Sequence, residues 1–226
     1  MIMKKILLTS FVLASTLFWA ALDNPETYKE AMTEQINNMH AAESIMDLQA
    51  SANAFLRISK MHSEEWLPLY YASLSYANIG YRSEGDVSKI DAWFDEAEKY
   101  ADQAMELSKN NAELVALKGY ILMGKLNASP ATRGQSLSPR VMGTFQKALH
   151  MDEDNPRALI MLARMQYGMA QFMGQKPTDA CGMVSQAQQL FAKEASGRSD
   201  SNALMPAWGN DMAEQMEGAC GKVAAM

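Results

Sequence analysis

Histidine and cysteine are scarce in this chain, at three and two residues among 226. So few leave little material for a metal centre or a thiol nucleophile. No Cys-x-x-Cys occurs, which removes dithiol redox cycling and zinc-ribbon chemistry. Glycine-rich phosphate loops, Gly-x-Ser-x-Gly and His-Glu-x-x-His are also missing. Excess positive charge is lacking too: a net charge of −6 and a pI near 5.1 exclude a dedicated nucleic-acid binder, which needs a basic patch to displace counterions. Valine is rare and no stretch alternates with period two for long, so strands are not expected. What is present is a 48% apolar, 20% charged composition, enough to build a sizeable core and too apolar for a long disordered chain.

Lys4 and Lys5 precede an uncharged run over residues 6–21, ended by Asp23-Asn24-Pro25. A short basic start, an apolar stretch of about 14 residues and small residues after it describe a secretory signal peptide, here residues 1–21. The run falls short of the roughly 20 residues a bilayer span requires, so no stable membrane insertion is expected after cleavage. Cleavage is expected near Ala20 or Ala21, with Val12-Leu13-Ala14 as a rival site. No cysteine lies nearby to carry a lipid anchor. Export to the periplasm or beyond gives the two cysteines a meaning. Cys181 and Cys220 are the only pair, and an oxidising compartment favours one structural disulfide over two buried thiols. Closing a loop of roughly 40 residues stabilises by about 4 kcal/mol on the chain-entropy account.

Prolines punctuate a run of helices. Pro25 follows Asn24, Pro139 follows Ser138 and Pro156 follows Asn155, each a capping residue before a proline suited to the first helical position. Pro68 falls in a first turn and Pro206 opens the last segment. Phe94, Ala97, Ala101, Ala104, Met105 and Leu107 form an apolar stripe at steps of three and four. The pattern predicts about nine helices after the signal peptide, with loops over residues 82–87 and 127–137.

Self-similarity then sets the architecture. Phe94, Ala97, Ala101 and Ala104 are echoed by Phe145, Ala148, Leu149 and Met151. Each stretch runs through asparagine into another helix, at Asn110-Asn111 and at Asp154-Asn155. Those following helices carry a small residue, Gly119 and Ala163, matching Ser73 in Leu69-x-x-Ala72-Ser73-x-x-Tyr76-x-x-x-Gly80. Small residues let antiparallel helices approach, and an aromatic fills the adjoining gap.

These residues resemble the tetratricopeptide repeat over residues 24–194. The likeness implies an all-α solenoid of helix pairs near 24–62, 63–109, 111–152 and 155–195, with a capping helix near 205–219. It departs from the repeat in about ten extra residues after Gly80 and again after Leu126, expected as lengthened loops. The order Glu65-Trp66-Leu67-Pro68, Asn155-Pro156-Arg157, the Cys181 segment, Pro206-Ala207-Trp208-Gly209 and Cys220 further resembles exported repeat proteins of Bacteroidetes-type bacteria. That second likeness implies fold and export, and no activity.

His40, His62 and His150 sit near expected helix ends with no partner nucleophile or carboxylate in sequence, so no catalytic role is assigned and no enzyme is expected. No cofactor is implied. Met161, Met165, Met169 and Met173 recur at steps of four, a stripe drifting about 40° per step. Its expected role is adaptable core filling, with a thioether Cu(I) site as the alternative. The repeat's first helices line a concave face. That mapping puts Tyr70, Leu74, Asn78, Tyr120, Met123, Arg157, Arg164 and Tyr167 there, as a surface for an unidentified protein or peptide. Tyrosine and arginine dominate binding hot spots, and two arginines seven apart can grip a carboxylate. The same tyrosines could instead seal inter-repeat packing, and the arginines pair with local acids. Self-association through the C-terminal helix around Trp208 is a third alternative.

Overall fold

A computed structural model describes residues 25–224 of the chain, and the expected signal peptide lies outside them. Among the described residues the chain is all α. Its helices are α1 (Pro25–His40), α2 (Ile45–Met61), α3 (Leu67–Arg82), α4 (Val87–Leu107), α5 (Ala112–Ala128), α6 (Pro130–Met151), α7 (Pro156–Phe172), α8 (Thr178–Ser196) and α9 (Asn210–Ala224).

Local chemistry starts several of these helices. Ser44 and Asp47 form a reciprocal capping box before α2. Asp86 accepts from the Ser88 amide at 2.9 Å, and Asn111 accepts from Glu113 and Leu114. Asn155 accepts from the Ala158 amide at 2.8 Å, with Pro156 pre-set at the first helical position. Asn110, at φ +57°, supplies the left-handed turn that sends α4 back into α5.

One expected loop is not a loop. Residues 130–137 are helical, because α6 begins right after Ser129 and runs straight through Pro139. The extra residues after Leu126 therefore lengthen a helix, and Ser138-Pro139 caps nothing. An interior proline costs about 3 kcal/mol by deleting an amide donor and crowding the previous turn. Arg133 offsets this by gripping Asp91 of α4 with two bonds of 2.7 and 2.6 Å, while also donating to the Lys125 carbonyl at 2.8 Å. After Gly80 the chain stays helical to Arg82 and re-enters helix at Val87, so that insertion too is mostly helix.

Each helix packs on its chain neighbours, as short connections require. In addition α1 touches α3, α3 touches α5 and α5 touches α7, whereas α2, α4 and α6 keep their backbones apart, α4 and α6 being joined through the Asp91 and Arg133 side chains. Contact on one side only means the first helices of the pairs lie on the inner side of a curved, solenoid-like stack. Phe94 of α4 is the wedge of the second pair. A Cβ placed on Gly80 or Gly124 would stand 2.7 or 2.2 Å from its ring, so only glycine admits it. Phe145 of α6 lies against Gly119 in the same manner, at 2.4 Å. Ser73 is fully buried and donates to the Ala97 carbonyl at 2.7 Å, and Ala163 is fully buried.

After α8 the chain turns back across the first helices. Arg198 organises this return by donating to the carbonyls of Asn202, Met205 and Pro206. The Tyr71 hydroxyl donates to the Leu204 carbonyl at 2.9 Å, and Trp208 Nε1 donates to the Tyr70 hydroxyl at 2.7 Å. Cys181 and Cys220 are disulfide-bonded, tying α9 to α8 with Cα atoms 5.6 Å apart.

Candidate functional site

The face formed by the first helices is already filled by the chain itself. Tyr70, Leu74, Tyr120, Met123 and Arg157 are buried, and Asn78, Arg164 and Tyr167 are half-buried. Tyr70 accepts from Trp208, and the Tyr120 ring lies 5.0 Å from the Trp208 ring and 4.4 Å from that of Tyr81. The Tyr120 hydroxyl donates to Asn78 at 3.2 Å. Burial pushes the Tyr70 and Tyr120 hydroxyls well above the ordinary phenol range. The nearby Arg164 charge opposes that rise at Tyr120.

Arg157 is held by internal carboxylates. It is 3% exposed, with Nε and Nη2 donating to Glu113 at 2.7 Å and Nη2 donating to Glu194 at 2.6 Å. Burial works against its charge, but Glu113 and Glu194 outweigh that and raise its pKa. The expected partnership of Arg157 with Arg164 therefore does not form: one arginine is spent on internal carboxylates and the other is not.

Arg164 belongs to a different place. An open groove of about 920 Å³ runs between the start of α6 and the second half of α7, with the end of α5 as its floor. Met123, Leu126 and Met165 supply the apolar base, and Pro130 and Pro139 lie along the α6 wall. Met169, Phe172 and Met173 supply the α7 wall, with Phe172 94% exposed at the rim. The methionine stripe is thus divided. Met161 is core, while Met165, Met169 and Met173 line the groove.

Two glycines give the groove its shape. Gly134 on α6 and Gly168 on α7 both line it, and a Cβ on either would meet nothing within 4 Å. The bare backbone leaves the groove open at both positions. Arg164 is the sole ionisable side chain lining it, and it takes no part in the ion pairs or hydrogen bonds of the described residues.

A second cleft of about 290 Å³ opens between α4, α5 and α6, beside Lys118, Lys125, Arg140 and Lys147. Lys118 and Lys125 are tied to Glu98, Asp95 and Asp102, whereas Lys147 and Arg140 take no part in the ion pairs of the described residues. A larger, mostly apolar cavity with a few convergent polar groups is the better candidate. Among the described residues no cluster of three or more His, Cys, Asp or Glu could hold a metal ion, and no helix is long and apolar enough to cross a membrane. His62 lies 4.7 Å from the Tyr28 ring, and burial lowers the pKa of His40.

The fold is similar to that of a haemophore. The solved structure of the HusA haemophore from Porphyromonas gingivalis superposes with a TM-score of 0.74 at 24% sequence identity. The match covers 86% of this chain and 93% of the haemophore chain. No protein-family model matches the chain, and neither does any curated protein. At that identity the likeness to the haemophore establishes shared architecture.

The groove escaped sequence reasoning because methionine at helical spacing looks the same in a core and in a cleft. The available signal was Gly168, a glycine inside a helical pattern without a partner aromatic to explain it.

Proposed function

We propose that this chain is an exported, non-enzymatic binding protein whose α5–α6–α7 groove carries a flat, apolar, carboxylate-bearing ligand of the haem class. The observation that carries this reading is the open groove lined by Gly134 and Gly168, apolar on its walls and furnished with one cation that takes no part in the ion pairs of the described residues. A planar macrocycle fills such a groove by burying both faces, and a propionate answers Arg164 through a charge-assisted pair. Shared architecture with a haemophore supports the same ligand class.

The test is a haemin titration of the disulfide-intact chain and two variants. Gly168→Leu is expected to weaken binding at least about tenfold by filling the groove, and Arg164→Ala by about tenfold through loss of the carboxylate pair. Unchanged affinity in both variants would refute the groove as the site.

A second reading keeps the protein- or peptide-binding scaffold. Its support is that the first-helix face does hold a non-helical segment, namely residues 203–209 of the chain itself, anchored by Trp208 on Tyr70 and Tyr120. A foreign partner would have to displace that segment. Partner capture that rises when Trp208 is removed, and falls again with Tyr120→Ala, would favour this reading over the groove. The thioether Cu(I) alternative gains no support, since Met161 is sealed in the core.

A further inference from the structure

The seam between α4, α5 and α6 pairs one row of cations with an acidic helix and leaves a second row open. Lys118 and Lys125 stand seven residues apart on α5, two helical turns or about 10.5 Å along its axis. The face of α4 opposite them carries Asp95, Glu98 and Asp102, at steps of three and four. Lys125 bonds Asp95 at 2.7 Å and Glu98 at 2.6 Å, while Lys118 bonds Asp102 and lies 3.9 Å from Glu98. An acidic helix face is thus what answers a cation pair of this spacing within the chain itself. Arg140 and Lys147 repeat the spacing on α6, line the same cleft and are both exposed. Neither takes part in the ion pairs of the described residues, and Glu98, the one carboxylate lining the cleft, is already held by Lys125. Phe145 lies on Gly119, a register that brings Lys147 level with Lys118 and Arg140 level with Lys125. Met105, Val115, Ile121 and Leu122 supply apolar surface between the two rows. On a chain of net charge −6, four cations against one carboxylate reverse the local sign, and a cleft with apolar walls focuses that field.

We propose that this cleft docks an acidic amphipathic helix of a partner protein, its carboxylates two turns apart on Arg140 and Lys147 and an apolar side chain between them. The cleft holds about 290 Å³, whereas a helix with its side chains is about 10–12 Å across. The partner helix therefore lies over the mouth and inserts only a side chain or two. Arg140 takes its carboxylate through two parallel bonds, and Lys147 acts as a point charge. The exposed pairs speed encounter and fix orientation, and salt screens them; the inserted apolar group holds the complex. The cleft shares no lining residue with the α5–α6–α7 groove, so this surface stands whatever the groove carries.

The experiment measures fluorescence anisotropy of a dye-labelled, lactam-stapled helical peptide titrated at low salt with the full disulfide-intact chain. The peptide carries two glutamates seven apart with two leucines between them on the same face. A second peptide has the same composition with its glutamates five apart, about 140° around the helix. The first is expected to bind at least about tenfold more tightly than the second, and to weaken as salt is added. Arg140→Glu combined with Lys147→Glu is expected to lower its affinity at least about tenfold. Lys60→Glu combined with Lys89→Glu makes the same change in net charge at exposed sites outside the cleft, and is expected to lower it less than about twofold. All four positions are exposed, so circular dichroism should match the parent chain in both variants. Equal loss in the two double variants overturns the proposal in favour of general charge attraction. Equal binding of the two peptides overturns it, and so does failure of the first to bind the parent chain. Phosphatidylglycerol vesicles that bind more tightly than the peptide, and are lost with Arg140 and Lys147, overturn the helical partner in favour of a lipid headgroup.

Discussion

Replacing Gly168 by leucine is expected to strengthen the fold while closing the groove, a combination that a merely structural glycine would not produce. Glycine inside a helix is about 1 kcal/mol less favourable than alanine, and leucine is nearly as good as alanine. The new Cβ meets nothing within 4 Å, so no clash offsets that gain. A net stabilisation of about 0.5–1 kcal/mol follows, worth about 2–4 °C in Tm per kcal/mol for a chain of this size. Gly124→Ala on α5 provides the opposite sign. Its Cβ would stand 2.2 Å from the Phe94 ring, which is itself wedged against Gly80 and cannot retreat. Overpacking of this kind costs about 1–3 kcal/mol, more than the helical gain returns. Urea unfolding of both variants with the disulfide intact measures the two effects, and a haemin titration of Gly168→Leu supplies the functional arm. The reasoning fails if Gly168→Leu loses more than about 1 kcal/mol, or if Gly124→Ala matches the parent chain.

Three further outcomes are expected. Trp208→Ala should cost about 2–3 kcal/mol by removing the indole hydrogen bond to Tyr70 and the ring contact with Tyr120. Its signature in hydrogen exchange is lost protection over α9 before the rest of the stack. Arg157→Ala should cost about 3–5 kcal/mol, because Glu113 and Glu194 are left facing each other without their shared cation. Denaturant midpoints should show that cost. Asp91 is held below the ordinary carboxylate range, first by its hydrogen bonds from Arg133. Its pKa is depressed in the folded state, so its contribution is present above about pH 4 and lost as pH falls through the folded value. Asp91→Asn should therefore flatten that part of the acid limb and fray residues 130–139, read by exchange rates at the start of α6.

The helical architecture was legible because its determinants are local. Asn-Pro caps, a period of three and four, and small residues at Ser73, Gly119 and Ala163 act within a turn or between adjacent helices. The start of α6 was not legible, since a stretch holding Gly134, Ser136 and Pro139 reads as a loop. It becomes helix through the Arg133 fork on Asp91, a partner 42 residues away. Tyr70 and Tyr120 were legible as contact residues, but not what they contact. A tyrosine that receives a foreign peptide and one that receives Trp208 of its own chain have the same sequence spacing.

The amino-acid order by itself determined that this protein is a stack of paired helices with a single cysteine pair, because periodicity, caps and close-packing glycines are short-range properties. Tertiary structure alone decided which surfaces remain open. Whether Arg157 or Arg164 keeps an unsatisfied charge depends on where Glu113 and Glu194 arrive in space. Whether Met161 or Met169 faces a cavity depends on how far α6 stands off from α7. Both are long-range outcomes of packing, which the spacing of residues along one helix does not encode.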